Sequence, residues 1–372
     1  MIGFVRQLGS TVGLVSGVGL SAWLTSLILP HLTGAQSKTA TTFVVLVLSI
    51  VVCMLIGELI AQRIKAGTEK KWAHRIDNGA GAIISSMTLL LIAWLVASLW
   101  LLGPSSSWQN TIQNSLIQRN LSAKLPEPNN LLNQANELIE TQHVATVFNG
   151  NEPSPDLNFA QPKRATFQAI SAKSARATTK ILGFGCGGIA TGTGFFVDQK
   201  HVVTNAHVIA GVAYPKVIDH TGRLHNAVAV VFSPSDDLAV LRLAEAVKVE
   251  PLRLELASPE KGTPVFLPGY PGGGSFTEKT GVVAEKITAT GKDIFGKPGT
   301  IRKVLSLQSN VVKGNSGGPV IDASGNVVGV VFATSTTYNN VGYALANEQV
   351  AREILSTPTK QTVSIPNLCS QE

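Results

Sequence analysis

The sequence predicts a helical membrane domain followed by an all-β domain of barrel or sandwich type, from three regions of different character along the chain. Residues 1–103 are dominated by apolar runs. Residues 104–178 turn polar and proline-containing. Residues 179–372 are rich in Gly, Val and Thr and break into short β-branched runs separated by turns. With 372 residues there is room for more than one core. The expected organisation is therefore a transmembrane domain over 1–103, an extracytoplasmic linker over 104–178 and a β domain over 179–372.

Three stretches, 7–29, 41–61 and 79–102, are long enough to cross a bilayer, which takes about 20 mostly apolar residues. A cleaved signal peptide has a shorter apolar region, and here two more spans follow the first. Gly9, Gly13 and Gly17 share one helical face. That pattern lets a neighbouring helix approach closely, but glycine is also simply common in membrane helices, and both readings stay open. Between the second and third stretches Arg63, Lys65, Lys70, Lys71 and Arg75 outnumber Glu69 and Asp77; between the first and second there is only Lys38. Basic loops stay in the cytoplasm, so the third stretch leads outward. The expectation is a multi-pass protein of the cell membrane, in contact with the lipid bilayer, whose β domain lies on the periplasmic side.

Composition excludes some classes. Much of the formal charge of +7 is spread over the first half and the linker, not gathered into the basic stripe of a nucleic-acid binder. Ionisable residues at mid-span, which mark transport pathways, are almost absent, so a membrane transport component is the weaker alternative. The three cysteines, Cys53, Cys186 and Cys369, make no zinc pattern. No metal or cofactor is expected.

The linker opens on Gly103-Pro104-Ser105-Ser106-Ser107, which breaks the third span. Residues 129–142 have the pattern of a short amphipathic helix, and Glu152-Pro153-Ser154-Pro155 reads as an exposed tether. Beyond it, strands are expected at 193–197, 201–204, 227–232, 238–243, 264–268, 304–308 and 326–332, with a closing helix over 346–355.

Three motifs lie on these strands. Gly314-Asn315-Ser316-Gly317-Gly318-Pro319 places a serine in a glycine-rich turn. A serine nucleophile needs an exposed hydroxyl and backbone N–H groups aimed at the developing oxyanion, here those of Gly314 and Ser316. Thr204-Asn205-Ala206-His207-Val208 follows a strand and offers a general base. Of seven histidines, only His207 has such a setting. Asp237 directly precedes the apolar strand Leu238–Leu243 and is placed to orient an imidazole; Asp236 is its rival. The chain order His207, Asp237, Ser316 is that of chymotrypsin-type enzymes.

These motifs, with Gly192-Thr193-Gly194 and Asp237-Leu238-Ala239-Val240-Leu241, resemble the trypsin-like serine proteases of the bacterial HtrA branch. The PDZ domain typical of that branch is not expected after the last helix. Gly269-Tyr270-Pro271-Gly272-Gly273-Gly274-Ser275-Phe276, the placement of Cys186 and Cys369, and a multi-span first half similar to the colicin V production protein family together resemble the mycobacterial acid-resistance membrane serine protease family. That family has four membrane helices, and Met1-Ile2-Gly3-Phe4 looks like the start of its second.

The resemblance implies a double β-barrel of trypsin type and peptide-bond hydrolysis through an acyl-enzyme. His207 would be the base, Asp237 its orienter and Ser316 the nucleophile. It also implies a Cys186–Cys369 disulfide, which suits an extracytoplasmic domain. The substrate pocket would be lined by Asn310, Val311, Val331, Phe332 and Ala333, with no acid to select Arg or Lys. Asn315 stands where many relatives carry the aspartate that pairs with a freed N-terminus, so activation of that kind is not expected. The expected partners are protein or peptide substrates of the cell envelope, in processing or stress resistance. The other alternative is a catalytically silent binding module of the same fold.

Overall fold

A computed structural model describes residues 4–32, 35–65, 107–124, 152–357 and 361–370, with Phe148 and scattered positions between 83 and 101. The chain divides into two compact units, Met1–Thr141 and Gln142–Glu372.

In the first unit, α1 (Phe4–Ile28) and α2 (Ala35–Lys65) pack as an antiparallel pair. The glycine stripe is their seam. A Cβ added to Gly9 would lie 2.3 Å from the Gly57 oxygen, and one added to Gly13 2.3 Å from the Cys53 oxygen. The open choice about these glycines thus resolves in favour of close helix approach. Both helices are long and apolar enough to cross a membrane, over Leu8–His31 and Ala40–Arg63. Their outer faces expose Val15, Trp23, Val47, Leu48, Leu55 and Leu59. Exposed apolar surface of this extent calls for a cover such as lipid. Within the third predicted span the described positions between 83 and 101 are helical, whereas the predicted 129–142 helix lies wholly outside the described residues. Two short helices, α3 (Ser107–Asn114) and α4 (Leu116–Lys124), follow.

In the second unit, β1 (Thr178–Gly185), β2 (Gly188–Phe196), β3 (His201–Thr204), β4 (Lys216–Ile218), β5 (Leu224–Ser233) and β6 (Leu238–Leu243) close into a barrel in the order β1-β2-β3-β6-β5-β4. The second sheet comprises β7 (Arg253–Leu254), β8 (Pro264–Gly269), β9 (Thr277–Lys292), β10 (Pro298–Gln308), β11 (Pro319–Asp322), β12 (Asn326–Thr334) and β13 (Val341–Ala346). It runs β11-β8-β9-β10-β13-β12 and returns on itself through β11–β12, with β7 added parallel to β12. The result is two six-stranded barrels, as expected from the resemblance. Nearly all of β3, β6 and β12 is buried on both faces, because one face lines a barrel and the other meets neighbouring structure. That is why these strands read as unbroken apolar runs rather than alternating ones. One core, from Phe195 and Leu241 to Phe332 and Leu345, spans both barrels. A second, around Val265, Val283, Leu305 and Val331, belongs to strands of the second barrel.

The chain before β1 is not all free tether. Tyr343 donates a hydrogen bond to Glu152 and meets Phe148 edge-on at 5.4 Å. Phe159 and Gln308 exchange two hydrogen bonds of 3.3 Å. Phe167 is buried and stacks on Phe266 at 5.4 Å just before α5 (Gln168–Ala177). Aromatic anchors on this otherwise polar stretch tie it down, since each buries a large apolar area. At the other end, Cys186 in the β1–β2 turn is bonded to Cys369, with Cα atoms 5.6 Å apart across 183 residues.

Candidate active site

Histidine and aspartate come from the first barrel. The chain leaves β3 at Thr204 and turns into the single helical turn α6 (Ala206–Ile209), which presents His207. Asn205 stands at the head of that turn without capping it. Its amide instead donates to the main-chain oxygen of Asp237 at 2.8 Å. Asp237 has φ +52°, a left-handed conformation rare for residues other than glycine, asparagine and aspartate. The conformation aims its carboxylate at His207. Oδ1 accepts the His207 backbone N–H at 3.0 Å, and Oδ2 is 2.8 Å from Nδ1. Asp237 is 1% exposed and the imidazole 15%. With Nδ1 committed as donor to the carboxylate, Nε2 is left as the acceptor, which is the tautomer a general base requires.

The serine comes from the second barrel and is half-buried at the end of a loop entering β11. Gly314 and Gly317 have φ of +89° and +82°. A Cβ on Gly317 would lie 2.1 Å from the Thr193 oxygen and 2.3 Å from Thr204 Oγ1, so the loop can press against the first barrel only with glycine there. Thr193 binds the loop twice: its N–H donates to the Ser316 oxygen at 2.8 Å, and its hydroxyl to the Gly314 oxygen at 2.6 Å. Thr204, three residues before His207, donates its hydroxyl to the Thr193 oxygen at 2.8 Å. A short relay thus joins the strand that leads into the His207 turn to the loop that carries Ser316. On its own side the loop is fastened to β12 by Gly317 N–H to Val331 O (2.7 Å) and Val331 N–H to Gly318 O (2.9 Å). Neither the Gly314 nor the Ser316 N–H donates to an acceptor among the described residues. Asn315 is buried, and its side-chain oxygen accepts the Val312 N–H at 3.1 Å, so it closes its own loop.

The rival Asp236 and His201, the nearest other histidine in the chain, are engaged elsewhere. Asp236 binds Ser233 and Gln349, and His201 pairs with Asp198 at 2.6 Å in the β2–β3 turn. Of the predicted pocket residues, Val311 and Val331 lie in the second-barrel core, while Phe332 and Ala333 lie in the core that spans both barrels. Asn310 is exposed, and its carbonyl accepts Lys279 Nζ at 2.7 Å. The sequence motifs contain Thr193, Thr204 and Asn205 but do not by themselves mark a role for them. Their polarity in or beside buried strands is the available signal, because a buried hydroxyl or amide needs a partner.

Comparison with known proteins agrees with this geometry. Residues 192–330 match the trypsin-like peptidase domain family, and residues 1–126 match the colicin V production protein family. The chain is 28% identical over 295 residues to the serine protease Rv3671c of Mycobacterium tuberculosis, spanning 77% of this chain and 74% of that one. It is 38% identical over 164 residues to a probable periplasmic serine endoprotease, DegP-like, of Bartonella henselae, covering 42% of this chain and 31% of that one. The crystal structure of the active form of the Rv3671c protease from M. tuberculosis superimposes with a TM-score of 0.56 at 31% identity, over 61% of this chain and 100% of that one. With the double barrel, the His207–Asp237 pair and the glycine-framed Ser316 loop in place, this chain belongs to the trypsin-like serine proteases.

Proposed function

We propose that the protein is a membrane-anchored serine endopeptidase that uses His207, Asp237 and Ser316 as its triad and acts on proteins or peptides of the cell envelope. The observation that carries the reading is the two-point seat of His207 on buried Asp237, beside a serine loop that bonds directly to the same barrel through Thr193. In the reaction Ser316 Oγ attacks the peptide carbonyl and His207 Nε2 takes its proton. Asp237 stabilises the imidazolium. The carbonyl oxygen, now anionic, is received by the Gly314 and Ser316 N–H groups. His207 returns the proton to the leaving amine, and water then releases the acyl group by the reverse path. The S1 subsite is assigned to Asn310, Val311, Val331, Phe332 and Ala333. The N-terminal helices anchor the chain in the bilayer as a multi-pass domain, with the protease on the periplasmic side. The Cys186–Cys369 bond supports that side, because disulfides persist outside the cytoplasm.

The test is a fluorophosphonate probe on the full-length chain in detergent. Wild type is expected to label at one residue, Ser316, and Ser316→Ala to remain unlabelled. A Ser316→Ala chain that labels like wild type ends the assignment.

A further inference from the structure

A triad split between two barrels works only if the barrels are held in register. The ribbon between β9 and β10 reaches from the second barrel onto both catalytic elements of the first. Ile294 at its tip is buried against Ala206 and Ala210, which flank His207, and Phe295 lies 6.4 Å from the ring of Phe232. Arg302 lies below the tip on β10 and is only 5% exposed. Its guanidinium reaches the turn that leads into Asp237: Nε donates to the Ser235 oxygen at 2.7 Å and Nη2 to the Pro234 oxygen at 3.4 Å, while Nη1 holds the Lys292 oxygen at 3.0 Å. No carboxylate pairs with it among the described residues. A buried cation without a counter-ion is costly, but a planar fork of donors suits three fixed carbonyls. The same guanidinium sits 5.9 Å over the ring of Phe332. Phe332 directly follows Val331, which fastens the Ser316 loop. Gln349 on α7 (Asn347–Leu355) adds a second tether, donating to Asp236 Oδ1 at 2.7 Å.

We propose that Arg302 is a positioning residue for catalysis, with Gln349 as its auxiliary. It locks the Pro234–Asp237 turn to the strand that carries the nucleophile loop, and so sets Asp237, and through it His207, against Ser316. The proposal rests on the triad reading above and adds to it a residue that touches neither substrate nor reacting atoms.

The test measures fluorophosphonate acylation of the full-length chain in detergent, separating the limiting rate, the half-saturating probe concentration and the final stoichiometry. In Arg302→Lys, which keeps the charge but loses the fork, the limiting rate should fall about tenfold or more, with half-saturation and stoichiometry unchanged. Added guanidinium ion should restore part of the rate to Arg302→Ala. Gln349→Ala should lose about threefold in the same parameter. A wild-type limiting rate in Arg302→Lys overturns the proposal, as does a loss confined to stoichiometry, since that would mean unfolding alone. If both Arg302 variants fail to fold, Gln349→Ala decides: a slowed rate at full stoichiometry upholds the role, and an unchanged rate overturns it. Wild type and Ser316→Ala labelling alike would instead remove the triad reading, and this inference with it.

Discussion

The two barrels place their candidate catalytic residues by different physical means. In the first, position is set by directional bonds that side chains make: Asn205 holds the Asp237 main chain, and the Asp237 carboxylate holds the His207 backbone N–H and ring. In the second, position is set by the lack of side chains: Gly317 lets the Ser316 loop press against Thr193 and Thr204, and main-chain bonds then fasten it. The first arrangement should fail by loss of chemistry in an intact fold. The second should fail by displacement of backbone.

Asp237→Asn is the sharpest test of that contrast. The amide is nearly the same size, so the barrel should persist. Its nitrogen would face His207 Nδ1 as a donor and select the wrong tautomer. The fluorophosphonate labelling rate is expected to fall by about 10³–10⁴-fold with an unchanged circular dichroism spectrum. Labelling within tenfold of wild type would mean that Asp237 does not orient the base.

The disulfide belongs to neither mode, because it acts mainly on the unfolded chain. It joins the first hairpin of the first barrel to the segment beyond the second, across 183 residues. Replacing Cys186 and Cys369 together by serine should cost about 3–5 kcal/mol and lower the thermal midpoint by about 10 °C. Equal midpoints for the variant and the wild type under non-reducing conditions would remove this contribution.

For the second barrel, Gly317→Ala inserts a methyl group where backbone and a threonine hydroxyl already stand, at a φ of +82°. Overpacking and the left-handed backbone together should cost about 2–4 kcal/mol. Labelling should be lost along with stability, unlike Asp237→Asn. Urea unfolding separates the two cases: an unshifted midpoint would show that the loop has room the geometry denies it.

The same division explains what could be read from the sequence. His201–Thr204 and Leu238–Leu243 are strands with the bounds expected, because both their faces are buried and the apolar run is continuous. The expected 304–308 strand is only the buried end of β10, which begins at Pro298. Its paired neighbour β9, 16 residues long, has no counterpart among the expected strands. The half of each that forms the ribbon alternates solvent with contacts made in space, as at Arg302, and no local pattern marks it. The candidate triad was legible because its residues sit in short motifs of unusual composition. No local pattern marks roles for Thr193, Asn205 and Arg302, because their partners lie 10 to more than 120 residues away. Phe148 and Phe167 are single aromatics in a polar stretch, and nothing local says that they dock.

The smallest effect tests whether directional bonding in the first barrel also governs its response to acid. In the β4–β5 turn, Asp219 is buried, which by itself raises its pKa. Its bonds to His225 (2.7 Å), the Thr221 hydroxyl (2.6 Å) and the N–H groups of Thr221 and Arg223 outweigh burial and hold it at about 2, against 3.8 for a free side chain. The comparable turn of the second barrel closes on Asp322 with two N–H groups, from Ser324 and Asn326, and no histidine among its hydrogen bonds. A pKa lowered by folding stabilises the native state while the unfolded carboxylate is ionised. The Asp219 contribution is therefore complete above pH 3.8 and disappears as pH falls through about 2. Asp219→Asn should cost about 1–2 kcal/mol at neutral pH, allowing for solvent screening. The wild-type advantage over it should shrink between those two pH values. If the two chains keep a constant stability difference down to pH 2, the hydrogen bonds around Asp219 do not discriminate its charged form, and acid response in this barrel has another origin.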